Sequence, residues 1–277
     1  MSKKTIVSRV IECLLLVLLF VVFAFPFYWI IITSFKTAAE AILRPPTLWP
    51  AEWVWTNYGA AWDKVGLGRY YLNSIFLSLA CTASTMVCSV PAAYAFAKKK
   101  FPLKGLLFCL LLLDLMVPPQ AYFVGTFMLF SDLDILNTYF SMILLFAYSG
   151  STIFFLRNAF KQVQEEVLEA SRLDGASEIT TLFRVLLPMI KPMTIAVTML
   201  TFISRWNNYF WFKVMTTTEA IHTLPIAMQR LMLWDETVMP QWNQAMAGNT
   251  LMMAPLLILY IIASKKIKEA FIGNGIK

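Results

Sequence analysis

Residues 165–192 read EEVLEASRLDGASEITTLFRVLLPMIKP. The stretch lies between two long apolar runs and carries Glu165, Glu166, Glu169, Asp174 and Glu178 together with Arg172, Arg184 and Lys191. Charges at that density do not sit in hydrocarbon. Val167, Ala170 and Leu173 recur at three-residue spacing beneath a charged face, which predicts a short helix over 166–172. Asp174-Gly175 breaks it, because glycine enters a left-handed turn without steric cost. A second helical segment is expected from Ala176, with Ile179, Leu182, Phe183 and Leu186 on one face and Pro188 and Pro192 marking its end. A helix, a glycine turn and a helix between two membrane spans make a knob on one side of a bilayer, shaped to be gripped.

The surrounding chain supports a membrane setting. Of 277 residues, 59% are hydrophobic and only 14% charged, against about 25% charged in an ordinary soluble domain. Lipid accounts for the excess. The net charge of +7 comes without a basic stripe interleaved with aromatics, so nucleic acid is not the partner. Cys13, Cys81, Cys88 and Cys109 lie in or beside apolar runs with no paired cysteines or histidine cluster, and buried free thiols are expected rather than disulfides or a metal site.

Six apolar runs predict an all-α integral membrane protein with spans at about 10–33, 71–97, 105–130, 137–156, 193–214 and 248–264. The first is too long for the apolar core of a signal peptide and reads as an uncleaved span kinked near Pro26. Pro118-Pro119 interrupts the third. With both termini on the cytoplasmic side, segments 1–9, 98–105, 157–191 and 265–277 hold sixteen of the twenty-three Lys and Arg residues, in accord with the positive-inside rule. The knob then faces the cytoplasm. Residues 36–69, rich in Trp, Tyr and Pro, read either as a segment along the outer membrane surface or as a solvated loop.

The knob carries a resemblance. Glu169-Ala170-Ser171, then Gly175 after three residues, then Val185-Leu186-Leu187-Pro188 after nine more, is similar to the Glu-Ala-Ala motif of permease subunits of bacterial ATP-binding-cassette (ABC) importers. Ser171 and Val185 depart from the family's Ala and Ile, and both keep the side chain small or β-branched. Leu173-Asp174-Gly175-Ala176-Ser177 and Trp206-Asn207 resemble the maltose-type carbohydrate branch. The resemblance implies a single ABC importer transmembrane domain over 1–277, with 157–192 as the cytoplasmic coupling loop between helices 4 and 5. It implies a second, homologous permease subunit, two ATP-binding cassette subunits and an extracytoplasmic solute-binding protein. ATP and Mg belong to the ATPases: this chain has no GxxxxGK[ST] loop and is expected to bind no cofactor and to be no enzyme. The expected coupling residues are Glu166, Glu169, Ala170, Ser171, Asp174, Gly175 and Pro188, with Glu169 pairing with an ATPase arginine. Asp174 is also expected to cap the second helix, a contribution of about 1 kcal/mol.

Within the spans, Asp114 and Arg205 fall near the middle of the third and fifth, and intramembrane charges face cavities or partners. Asp114, Arg205, Trp206, Asn207, Asn208 and Tyr209 are the candidate solute path. Amides bond sugar hydroxyls and aromatic faces stack on sugar rings, although Asn207 and Asn208 serve equally as interhelical packing contacts. In the outer segment 216–247, which the resemblance suggests meets the binding protein, His222 reads as exposed and incidental. Met228, Met232, Met239, Met246, Met252 and Met253 read as adaptable packing rather than a copper path. The basic tail 265–277 reaches toward the ATPases in relatives, and a frayed terminus fits it as well. The expected function is ATP-driven import of a sugar or oligosaccharide by alternating access, or of another small polar solute such as a glycerol phosphate. An ion-coupled secondary transporter would need inverted repeats and deep carboxylates, and an intramembrane enzyme a nucleophile and base at depth. Neither pattern is present.

Overall fold

The computed structural model describes residues 3–232 and 241–273. It is all-helical, with no strand among the described residues. In chain order the α-helices are α1 Lys3–Ser34, α2 Ala38–Ala41, α3 Thr56–Val65, α4 Leu67–Lys98, α5 Lys104–Leu112, α6 Pro119–Asp132, α7 Tyr139–Leu145, α8 Gly150–Gln162, α9 Glu165–Leu173, α10 Glu178–Thr180, α11 Leu187–Met189, α12 Lys191–Trp206, α13 Phe210–Met215, α14 Leu224–Met232 and α15 Trp242–Gly273. Ser8–Ser34, Leu67–Lys98 and Trp242–Ile262 are each long and apolar enough to cross a membrane. Two bent pairs raise the number to as many as five: α7 with α8 at 47°, and Glu178–Met189 with α12 at 88°. α1 runs unbroken through Pro26.

The third run breaks as its prolines lead one to expect, and the expected continuity of the fourth and fifth is corrected. The third run breaks after α5 into a 3-10 turn at Leu113–Leu115 and resumes at α6, where Pro119, lacking an N–H, occupies a position that leaves no helical bond unmade. The fourth breaks at 146–149, because Ser149 leaves the helix and caps α8 through Thr152 N–H. The fifth stops at Trp206, and Asn208 caps the next segment by accepting from Trp211 N–H at 3.1 Å. Short polar side chains compete with the backbone ladder and end helices that hydropathy alone would continue.

The chain divides into two units. In the first, Met1–Gly68 with Ala227–Pro255, residues 34–57 are tied together by side-chain hydrogen bonds, while Trp49, Trp53 and Trp55 stay exposed. Asn57 Nδ2 donates to the carbonyls of Ser34 and Lys36, Asn243 Nδ2 donates to Asn57 Oδ1, and Lys36 Nζ donates to the Thr47 carbonyl. The Glu40 carboxylate accepts from Thr47 Oγ1 and Ala51 N–H. Phe35 packs against Trp53, Trp55 and Tyr58. Burial beside this cluster pushes the Lys36 ammonium below its ordinary range, with Glu40 opposing. Gly248 of α15 lies against α14; an added Cβ would fall 2.8 Å from Leu231 Cδ1.

In the second unit, Arg69–Ile226 with Leu256–Lys277, two buried clusters form the core. One joins Leu77, Cys81, Met142, Phe146, Trp211 and Phe212. The other joins Val90, Tyr94, Leu156, Phe160, Leu168, Leu182 and Leu186 and carries the charged loop. All four cysteines are free, as expected; Cys81 is buried within the chain, and Cys13, Cys88 and Cys109 lie on its surface.

Candidate functional site

The charged loop is a docked helical hairpin. α9 places Glu165 and Glu166 in its first turn and Arg172 in its last, matching the helix dipole at both ends. It closes in a Schellman motif: Gly175, at φ 75°, donates its N–H to the Arg172 carbonyl, and Ala176 N–H donates to Ser171. Ser177, not Asp174, caps the next segment by accepting from Thr180 N–H at 3.2 Å; Asp174 is the C-terminal cap of α9. Serine wins because it stands one residue before the first helical position, whereas Asp174 is still bonded back to Ala170.

The buried faces also differ from the periodicity reading. α9 buries Leu168 and Ser171, with Val167 partly covered, while Ala170 is exposed and Leu173 is 89% exposed. After α10, residues Thr181–Leu186 wind as a π-helix, with Leu187 N–H reaching Leu182 O. Pro188 would orphan and crowd the Arg184 carbonyl in an α-helix, and the wider turn relieves both. The π turn buries Thr181, Leu182 and Leu186 and leaves Ile179 72% and Phe183 47% exposed. Ser171 Oγ and Thr181 Oγ1 meet at 2.8 Å in the buried seam between the segments.

Charged tethers fix the hairpin to the end of α4. The buried Lys98 ammonium donates to the Val163 carbonyl and to Glu165 at 2.9 Å. Glu178 accepts from Tyr94 Oη and Lys99 Nζ, with Arg172 at 3.5 Å. The Lys98 hydrogen bond holds the Glu165 carboxyl below its ordinary range. The Lys99 and then the Tyr94 hydrogen bonds do the same for Glu178. Glu166, Glu169, Asp174 and Pro188 are exposed, and Glu169 makes no ion pair among the described residues. The inner face of the hairpin is held; the outer face presents Glu166, Glu169, Ala170, Leu173, Asp174 and Ile179.

A cavity of about 650 Å³ lies where the three broken runs converge. Its wall takes Pro119, Gln120 and Tyr122 from the start of α6, residues on both sides of the α7–α8 break, and Ser204, Arg205, Asn208 and Trp211 around the α12–α13 break. Thr152 and Thr201, 3.4 Å apart, add hydroxyls. The Arg205 guanidinium lies 4.1 Å from the centroid of the Phe146 ring, a cation–π placement. Of the expected path residues, Arg205 and Asn208 line this cavity. Trp206 does not: it is 1% exposed and packs against Tyr71 and Phe202. Asn207 and Tyr209 are outside the lining. Asp114 falls in the 3-10 turn, and its side chain lies outside the described residues.

His222 is buried at 3% exposure rather than exposed, within a segment pinned to α4 by Asn73, which donates to the Ala220 and His222 carbonyls. Met239 and the tail beyond Gly273 lie outside the described residues. No group of three His, Cys, Asp or Glu that could hold a metal occurs among the described residues. The polar lining contributed by Gln120, Tyr122, Ser149, Ser151, Thr152 and Thr201 was not anticipated; the only signal was the grouping of Ser149, Ser151 and Thr152 within an apolar segment.

Residues 89–270 match the family model described as the binding-protein-dependent transport system inner membrane component. The chain belongs to this family. It is similar to the probable ABC transporter permease protein YurM of Bacillus subtilis, with 27% identity covering 99% of this chain and 91% of the relative. It is 30% identical to the sn-glycerol-3-phosphate transport system permease protein UgpE of Pectobacterium atrosepticum, covering 87% and 88%. The fold is also that of a chain in the crystal structure of a bacterial ABC transporter involved in the import of the acidic polysaccharide alginate, with a TM-score of 0.83, 23% identity, and 96% and 98% coverage. The protein is an ABC importer permease subunit, an inner-membrane component of a binding-protein-dependent system, and membership implies ATPase and solute-binding partners.

Proposed function

We propose that this subunit imports a carbohydrate-class solute, a sugar, an oligosaccharide or a related polyol phosphate, by alternating access driven from the 165–190 hairpin. The observation that carries the reading is the two-sidedness of α9. Leu168 and Ser171 anchor it in the core beside α4 and α8, while Glu166, Glu169, Ala170 and Leu173 stand clear. A helix anchored on one side and offered on the other transmits a push from a partner to the helices behind it. Glu169 supplies a charge for a basic partner group, and Ala170 and Gly175 let a partner's backbone come close.

In this account the ATP-hydrolysing sites are on two separate subunits, a second, homologous permease completes the pathway, and both termini face the cytoplasm. The charge bias of the sequence supports that orientation. Six spans follow, the third interrupted at Leu113–Leu115. The converging breaks support a solute path at the cavity, since discontinuous helices offer unpaired backbone groups and polar caps at mid-depth. The relatives named for glycerol phosphate and alginate import support a polar, oxygen-rich solute.

The test is reconstitution of the whole transporter in proteoliposomes with uptake of labelled sugars and polyol phosphates. Uptake that requires both ATP and a solute-binding protein supports the reading. Uptake that follows an ion gradient without ATP defeats it.

A further inference from the structure

We propose that three cations gathered where α4, α5 and α8 meet, Lys104, Arg157 and Lys161, bind the headgroup of an anionic phospholipid whose acyl chains lie along the exposed leucines of α5. The proposal rests on the importer reading only for the side of the membrane. Lys98 and Lys99, at the same end of α4, hold the hairpin, so on that reading the lipid belongs to the leaflet that faces the ATPases. The three charges come from two helices: Lys104 opens α5, and Arg157 and Lys161 stand one turn apart on one face of α8. Among the described residues no acid forms an ion pair with any of them. Burial, and then the neighbouring Arg157 and Lys161 charges, hold the Lys104 ammonium below its ordinary range. Like charges that the fold brings together against their repulsion are relieved by an anion placed among them.

Two of the cations are held in place rather than left to swing into water. Lys104 Nζ donates to the Lys99 carbonyl at 2.6 Å and lies 5.9 Å from the centroid of the Phe101 ring. Arg157 Nε donates to the Phe96 carbonyl at 3.1 Å, and its guanidinium lies 3.8 Å from the centroid of the Phe108 ring. Each carbonyl takes one N–H and leaves further donors on the same group, and the rings orient the charges without neutralising them. Local helix energetics do not account for Lys104. It stands in the first turn of α5, which carries no acid, where the helix dipole opposes a cation and favours an anion. The face that continues from the charges is apolar: Leu106, Leu107 and Leu110 are exposed along α5, and Phe108 stacks on Phe154 of α8. An anionic phospholipid has the same order of parts, a charged phosphodiester and then hydrocarbon. Basic pockets between membrane helices on the cytoplasmic side take such headgroups.

The experiment titrates dioleoylphosphatidylglycerol or dioleoylphosphatidylcholine into the complete transporter in detergent and counts bound lipid by native mass spectrometry. The wild type is expected to retain the anionic lipid over the zwitterionic one, and to lose that preference as salt rises. Lys161→Gln, at an exposed position, weakens the anionic lipid about fivefold, and Lys104→Gln combined with Lys161→Gln about ten- to thirtyfold, from the contribution of each cation near an anionic surface. Arg9→Gln combined with Lys100→Gln removes the same charge outside the cluster and is expected to bind as the wild type does. Equal retention of the two lipids by the wild type, unchanged retention in both cluster variants, or a loss in the control as large as in the cluster overturns the proposal. A double cluster variant that keeps the anionic lipid but sheds the ATPase subunits assigns the cations to a protein contact, and overturns it as well. Binding-protein-stimulated ATP hydrolysis by the wild type on the same preparation reports separately on the importer reading: it persists where only the lipid site is wrong and is missing where the subunit is not part of an importer.

Discussion

Truncating two leucines on the same short helix separates its anchored face from its offered one. Leu168 is 1% exposed and packs in the cluster with Tyr94, Phe160 and Leu182, whereas Leu173, five residues on, is 89% exposed. At nine residues α9 is too short to hold itself in water, so docking is what keeps it helical. Leu168→Ala removes a buried side chain whose loss costs about 2.7–5 kcal/mol. At about 1.4 kcal/mol per decade, the lower figure raises the open fraction of the hairpin about a hundredfold. Leu173→Ala changes the chain's own stability by no more than about 0.5 kcal/mol, but weakens assembly with the ATPase by about 1 kcal/mol or more if Leu173 is an interface anchor. Hydrogen exchange over 165–190 in detergent reads the first effect, and co-purification with the ATPase subunit the second. Fast exchange in Leu173→Ala, or unchanged exchange in Leu168→Ala, would refute the assignment of faces.

Other perturbations test the supports. Gly175→Ala meets no atom within 4 Å but must adopt φ 75°, so it loses about 1–2 kcal/mol from backbone strain alone, seen as faster exchange at the α9 terminus. Glu165 and Glu178 are held below the ordinary carboxylate range. Their tethers are therefore fully present above the unfolded-state value of about 4.3 and are lost as pH falls through the depressed folded values. Protection of the hairpin is accordingly flat near neutrality and declines in acid, and Glu178→Gln removes part of that acid dependence. Asn57→Ala leaves the buried Ser34 and Lys36 carbonyls without their amide donor, costs about 1–3 kcal/mol, and lowers the melting temperature of the subunit in detergent.

The residues that were legible in the sequence are those whose chemistry is local. The Asp174-Gly175 stop, the α9 bounds to within a residue at each end, and the break at Pro118-Pro119 follow from glycine and proline stereochemistry. The burial of α9 was not legible. Leu173 and Ile179 are apolar and periodic, yet they face outward, because apolar spacing alone does not say which side of a helix the core takes. The π turn at 181–186 was hidden as well, since a wider turn shifts the buried set by one position and periodicity counted at 3.6 residues cannot see it. Ser149 and Asn208 each start a new helix by a single hydrogen bond inside an apolar run, so the cavity beside these breaks has little signature in hydropathy. The Lys36, Glu40 and Asn57 cluster depends on contacts as far apart in sequence as Asn57 and Asn243.

The central claim, that the hairpin couples this subunit to ATP hydrolysis, is tested most directly by ATPase activity of the reconstituted transporter with and without solute-binding protein, comparing the wild type with Glu169→Lys. Glu169 is exposed and takes no part in the ion pairs that hold the hairpin among the described residues, so the variant is expected to insert and fold. The account predicts that it loses either assembly with the ATPases or the stimulation by binding protein. A Glu169→Lys transporter that assembles fully and is stimulated like the wild type would contradict it.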